Sequence, residues 1–220
     1  MIIERNAIAR QLGSGAVGVG ETHGQPHAVD AIIECIHQNA VRNLFVEGSS
    51  IYFQLVINEA KVVFAKTQGS MDERKAELKR IISHSVAGMI GESAADYTRL
   101  LVEAVPAGVD VWAAEDNKLY TNIRTGATFK GVSARNVAAL AFVKEKLNAE
   151  RWDEPNACKS VLLFGDDHFA LRGNGFVSLE IAFGDMPYWP ASAPRDGAAT
   201  AATATTGTTT TGTTTTTDSM

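Results

Sequence analysis

The sequence predicts an α/β fold: a mainly parallel central sheet, helices on both faces, and a helical insertion between the second and third strands. Three observations lead there. Short apolar runs recur along the chain, among them AVGVG at 16–20, LFVEG at 44–48 and SVLLFG at 160–165. Near-continuous runs of this kind are strands buried on both faces, the environment of a parallel sheet. The stretches between them carry apolar residues at helical spacing, so strand and helix alternate. With 220 residues, 45% of them apolar, the chain is long enough to enclose a substantial core.

Taken in order, a short helix at 4–12 ends at Gly13, and the first strand is 16–20. Pro26 suits the first turn of the next helix, where its missing N–H is not needed. Val29, Ile32, Ile33, Ile36 and Ala40 give that helix an apolar face to about residue 40. The second strand is 44–48. Residues 51–65, 73–89 and 94–105 read as helices, more than one crossover needs, and are expected to cap one end of the sheet. VDVWAAED at 109–116 is the third strand. SARNVAALAFVKEKLN at 133–148 is a helix with Ser133 as its N-cap. The fourth strand is 160–165. FVSLEIAF at 176–183 is expected as a fifth strand, antiparallel at an edge because the loop before it is short.

Residues 1–190 thus read as a single α/β domain, with the helical cap at about 51–105. The segment 191–220 completes a Pro-rich exit and then becomes nearly all Thr, Ala and Gly. Such a composition offers too little apolar surface to offset the entropy of ordering, so a disordered tail is expected. The formal net charge is -5 and no Lys/Arg run is visible, which argues against nucleic-acid binding. No stretch of about 18 apolar residues is present, so no membrane span is expected. MIIERNAIARQLG lacks the basic start and unbroken apolar run of a cleaved signal. Cytoplasmic placement is the default expectation, with export by a route needing no cleaved signal still open. Cys35 and Cys158 read as small buried hydrophobes in a reducing compartment.

The polar residues that carry chemistry fall at strand ends. Glu21 and His23 follow the first strand, Glu47 ends the second, Glu115 and Asp116 end the third, and Asp166, Asp167 and His168 end the fourth. In a parallel sheet those ends share one edge, where ligands bind. A single acidic residue in such a place is ordinary turn chemistry, but four strands would each need that explanation separately. Glu47, closing an apolar run, needs a partner if it is buried. We therefore take Glu21, His23, Glu47 and His168 as candidate catalytic residues, and His27, Glu115, Asp116 and Asp167 as candidate substrate-binding residues. An imidazole beside a carboxylate can activate water as a general base. The same mixed ligands, His23, Glu47 and His168, also suit a divalent metal such as Mn or Zn. His37 and His84 lie in helices away from strand ends and read as structural. No G-x-S-x-G elbow, C-x-x-C pair or P-loop is present. GSGAVG at 13–18 precedes its strand, the wrong order for a dinucleotide fingerprint.

GETHGQPH at 20–27 resembles the G-E-x-H motif of the superfamily of ChaN-like haem-binding lipoproteins, erythromycin esterases and Tiki-type proteases. LFVEG is similar to its acidic strand end, and LLFGDDHF at 162–169 to its late strand-Gly-x-x-His element. The resemblance spans roughly 14–183 in order. It implies a clustered site of Glu21, His23, Glu47 and His168, with His27 similar to a second histidine on the first helix. The esterase branch implies ester or lactone opening with the matching His as base, and the Tiki branch metal-dependent peptide cleavage. The ChaN-like branch implies haem, at a homodimer interface, on His27 or His168, without turnover. The spacing is nearest to that branch, although this chain carries no lipobox near its start. The expected partner is a small-molecule or peptide substrate. The Thr-rich tail and the absence of a cleaved-signal pattern also admit a bacterial effector- or toxin-type domain.

Overall fold

The computed structural model of the chain describes residues 2–90, 93–116, 129–170 and 176–190. In chain order the elements are α1 (Ile2–Leu12), β1 (Val17–Glu21), α2 (His27–His37), β2 (Asn43–Ser49), α3 (Tyr52–Lys66), α4 (Met71–Ile90), α5 (Ala94–Ala104), β3 (Asp110–Glu115), α6 (Phe129–Leu147), β4 (Ser160–Gly165), α7 (Asp167–Ala170), α8 (Leu179–Ala182) and β5 (Tyr188–Trp189). The sheet order is β3-β2-β4-β1-β5, and every pairing is parallel. Parallel pairing throughout brings the carboxyl ends of the strands to one edge.

Alternation along each strand divides the core between two faces. Val17 and Val19, Leu44 and Val46, Val111 and Ala113, and Val161 and Leu163 pack on one face with α1–α5. Phe45, Ala114, Leu162 and Phe164 pack on the other, with Ala139, Leu140 and Val143 of α6 and with Phe169, Leu179 and Phe183. The helical insertion is part of the first layer: Leu78, Ile82, Val86, Leu100 and Leu101 share its buried cluster. Within VGVGE the two valines face one layer, and the glycines leave room on the other. A Cβ on Gly18 would stand 2.6 Å from Phe169 Cε1, and one on Gly20 would stand 1.8 Å from Asp166 Oδ1. Glycine at both positions lets β1 lie this close to the start of α7 without displacing Phe169 or the Asp166 carboxylate.

Two expectations are corrected. FVSLEIAF is not a strand. Ser178 accepts a hydrogen bond from the Ile181 N–H and caps a single helical turn, α8. Leu179 and Phe183, four residues apart, are buried while Ile181 is exposed, a helical pattern that the apolar run concealed. The fifth strand is instead the dipeptide Tyr188–Trp189, parallel to β1 and not antiparallel, with the Pro187 carbonyl accepting from the Gly18 N–H at 2.8 Å. α6 begins at Phe129, before the expected Ser133 cap. Ser133 Oγ accepts from the Val177 N–H at 2.9 Å and so fixes the approach to α8. The expected tail at 191–220 lies outside the described residues.

Candidate functional site

Five of the residues expected from the sequence converge at the carboxyl edge, in an outer pair and an inner cluster. The outer pair is Glu21 and His23. Glu21 shares the parity of Val17 and Val19 along β1, so it faces the α5 layer and is buried, at 5% exposure. His23 stands two residues on, with its side chain 60% exposed, and its Nδ1 lies 3.2 Å from Glu21 Oε1. Two residues from the insertion complete this half. The Tyr97 hydroxyl donates to Glu21 Oε1 at 3.0 Å, and Ser93 Oγ lies 3.0 Å from the same His23 Nδ1. Burial, with the Glu21 charge second, holds the Tyr97 hydroxyl well above its ordinary range, so it stays a fixed donor.

The inner cluster forms where the Glu47 end of β2 meets α6. Arg135 Nη2 donates to Glu47 Oε1 at 2.6 Å, and Arg135 Nε donates to Glu115 Oε1 at 2.6 Å; its Nη2 also pairs with Glu115 Oε1. The Gly165 N–H donates to Glu47 Oε2 at 2.7 Å. His168 is 2% exposed; its Nε2 lies 3.5 Å from Glu47 Oε1 and its Nδ1 faces Asn136 Oδ1. The Asn136 amide nitrogen donates to the carbonyls of His168 and Val177 at 3.0 and 2.7 Å. That orients the amide so that its oxygen accepts, and fixes the proton on His168 Nδ1. Charges this deep need such partners.

The two acids of the cluster are driven apart. Burial works against the Glu47 charge. The hydrogen bond and charge of His168, the charge of Arg135 and the Gly165 N–H outweigh it and hold the carboxyl well below its usual range. Glu115 is pushed up to about 7, by burial first and the Glu47 charge second, with Arg135 and His168 opposing. Its Oε2 is buried without a hydrogen-bond partner among the described residues.

His27, Asp116 and Asp167 are exposed and stand outside these two groups. Asp166 turns toward the opposite side, where its Oδ1 accepts from the Tyr188 hydroxyl at 3.1 Å. Sequence reading missed Arg135, Asn136, Tyr97 and Ser93. A signal existed for two of them. Asn136 occupies the buried stripe Asn136–Leu140–Val143–Leu147, and Tyr97 the stripe Tyr97–Leu101–Ala104. A polar residue on an apolar helical face implies a buried partner.

Two sets of atoms lie close enough to suggest a cation, Glu21–His23–Glu47 and Glu47–Glu115–His168, each within 4.8 Å. The residues do not fit one. Both Glu47 oxygens already accept N–H donors, Glu21 Oε1 accepts the Tyr97 hydroxyl, and a guanidinium lies between Glu47 and Glu115. Of the two histidines considered for haem, His168 is enclosed and only His27 lies at the surface.

A serine nucleophile does not fit either. Ser93 and Glu21 both address Nδ1 of His23, whereas a triad needs the hydroxyl and the carboxylate on opposite ring nitrogens.

No protein-family model matches the chain, and no curated protein matches it in sequence. The resemblance to ChaN-like and erythromycin esterase-like proteins therefore rests on the short motifs. Two solved structures are similar to the chain. The type III effector HopBA1 overlaps 84% of this chain and 77% of its own, at 20% identity and a TM-score of 0.48. RRSP, a MARTX toxin effector domain from Vibrio vulnificus CMCP6, overlaps 86% of this chain at 18% identity and a TM-score of 0.51. The match covers 36% of the RRSP chain. Among the described residues no helix is long and apolar enough to cross a membrane. The chain shares its fold with part of RRSP.

Proposed function

We propose that this domain is a hydrolase of the bacterial effector or toxin type that opens an ester or amide bond with His23 as general base. One observation carries the reading: an exposed imidazole at the carboxyl edge of the sheet has its Nδ1 3.2 Å from a buried carboxylate. Glu21, held in place by Tyr97, orients the ring and stabilises its charged form. With the proton on Nδ1, Nε2 is the basic nitrogen. It takes a proton from water as the water oxygen attacks the substrate carbonyl, and returns that proton to the leaving oxygen or nitrogen as the C–O or C–N bond breaks. Water supplies both new groups, so the step needs no other reactant. Glu47 and His168, more enclosed, hold the floor of the site and the end of β4, and no step passes through a metal. The effector-type part of the reading is supported by the fold shared with RRSP.

The test is turnover of a panel of esters, lactones and peptides in the presence of EDTA. Wild type is expected to act on at least one class, and His23→Ala to lose about 10²–10⁴-fold. Absence of wild-type turnover across the panel, with or without Mn²⁺ or Zn²⁺, removes the hydrolase reading.

A further inference from the structure

The inner cluster has the residue types of a metal centre and nearly its dimensions. Glu47, Glu115 and His168 each offer a ligand atom within 4.8 Å of the others. A cation with bonds of about 2.1 Å holds tetrahedral ligands roughly 3.4 Å apart, so the ligand atoms would have to draw closer to complete the set. His168 is already posed as a metal ligand is: its Nδ1 is tied to the Asn136 amide oxygen, and its Nε2 is presented to the cluster. Glu115, itself 1% exposed, keeps a buried oxygen with no hydrogen-bond partner among the described residues.

The centre is held by a side chain. The Arg135 guanidinium bridges Glu47 Oε1 and Glu115 Oε1 at 2.6 Å each and is itself buried. A divalent ion on those oxygens would share them with a fixed positive charge where water screens little. We propose that Arg135 is the built-in cation of this site, standing where the surrounding residue types would suit a divalent metal, and that a Zn²⁺ or Mn²⁺ site of Glu47, Glu115 and His168 is latent beneath it. The planar fork suits the role, because it spans two carboxylates at once and keeps its charge at every physiological pH. The arrangement also explains why a sequence with the ligands of a metallohydrolase presents carboxylate oxygens that mostly accept N–H donors.

The full chain, stripped with a chelator, is titrated with Zn²⁺ or Mn²⁺ alone, by equilibrium dialysis and thermal unfolding. Wild type is expected to show no stoichiometric uptake that depends on Glu115, and no change in Tm. Arg135→Met is expected to bind one equivalent, at least about tenfold more tightly than wild type, with Tm raised by the metal. Both gains should vanish in Arg135→Met/Glu115→Gln, and Arg135→Lys, which keeps the charge, should not acquire them. Should Arg135→Met fold poorly, added Zn²⁺ is expected to restore it, and failure to fold even with the metal overturns the latent site. Wild-type uptake of one equivalent that is lost in Glu115→Gln or His168→Ala overturns the role of Arg135. Metal binding is read directly, so these outcomes stand apart from whether the domain is a hydrolase.

Discussion

The outer and inner halves of the site are built from similar residues and solve opposite problems. Glu21 and His23 meet at the rim, where a neutral hydroxyl from Tyr97 is the main support and the imidazole is exposed. Glu47, Glu115 and His168 meet beneath, where charge is enclosed and needs Arg135, Asn136 and a backbone N–H to be tolerable. The lesson is that one sequence pattern, an acid and a histidine after a strand, yields an exposed imidazole in one place and a buried ion network in another. Burial decides which.

Stability should separate the halves most sharply. Arg135→Met leaves two enclosed carboxylates without their cation and is expected to cost about 3–5 kcal/mol, read by urea denaturation at pH 7. His23→Ala removes an exposed side chain and should change stability by no more than about 0.5 kcal/mol, while abolishing most turnover. Equal stability losses in the two variants would erase the distinction.

A smaller effect probes the backbone that joins the halves. Gly20 lies under Asp166, and a methyl there would collide with Asp166 Oδ1. The carboxylate must then swing away from the Tyr188 hydroxyl, so Gly20→Ala is expected to cost roughly 1–3 kcal/mol. An unchanged midpoint in denaturant would mean that this contact yields without strain.

Titration offers a third contrast. Glu115 is raised to about 7 in the fold from an ordinary 4.5. The folded chain therefore holds a proton that the unfolded chain has released between those two values. Stability contributed by the neutral form is complete below 4.5 and is lost as pH rises through about 7. Glu47 has the opposite sign: its lowered pKa stabilises above the ordinary carboxylate range and fails in acid. Stability measured from pH 5 to 8 should show a decline that Glu115→Gln flattens. A profile unchanged by that substitution would assign the slope to other groups.

Much of this was legible in the chain. The apolar strand runs gave the parallel sheet, and the acids and histidines at their ends gave the converging edge. The chain did not separate Glu115, which is buried, from Asp116, which is exposed, because Ala113 and Ala114 before them are both buried and break the alternation. What else escaped was of two kinds. SLEIAF carries apolar residues that satisfy a strand and a helical turn alike, and only the Ser178 cap and the place taken by Tyr188–Trp189 decide between them. Arg135 and Asn136 lie far from any strand in sequence, so nothing local announces that α6 crosses under the edge. Their role follows from tertiary packing. The clue lay in the burial pattern of the helix, where an amide among leucines and valines required a partner not yet named.

The smallest expected effect is the most discriminating about mechanism. Ser93 touches His23, so a serine hydrolase is the natural competitor to water activation. Its hydroxyl meets Nδ1, the nitrogen that Glu21 also holds. Rotating the ring by half a turn moves a carbon into that place and does not move the hydroxyl to the far nitrogen. In the proposed mechanism Ser93 therefore positions the imidazole and does not attack. Ser93→Ala removes one hydrogen bond, worth about 1 kcal/mol, and should lower kcat/KM by roughly fivefold, with no covalent adduct formed by serine-directed fluorophosphonates in either protein. A loss of several orders of magnitude, or adduct formation on Ser93 in the wild type, would move the chemistry from water to serine and leave Glu21 and His23 with a different task.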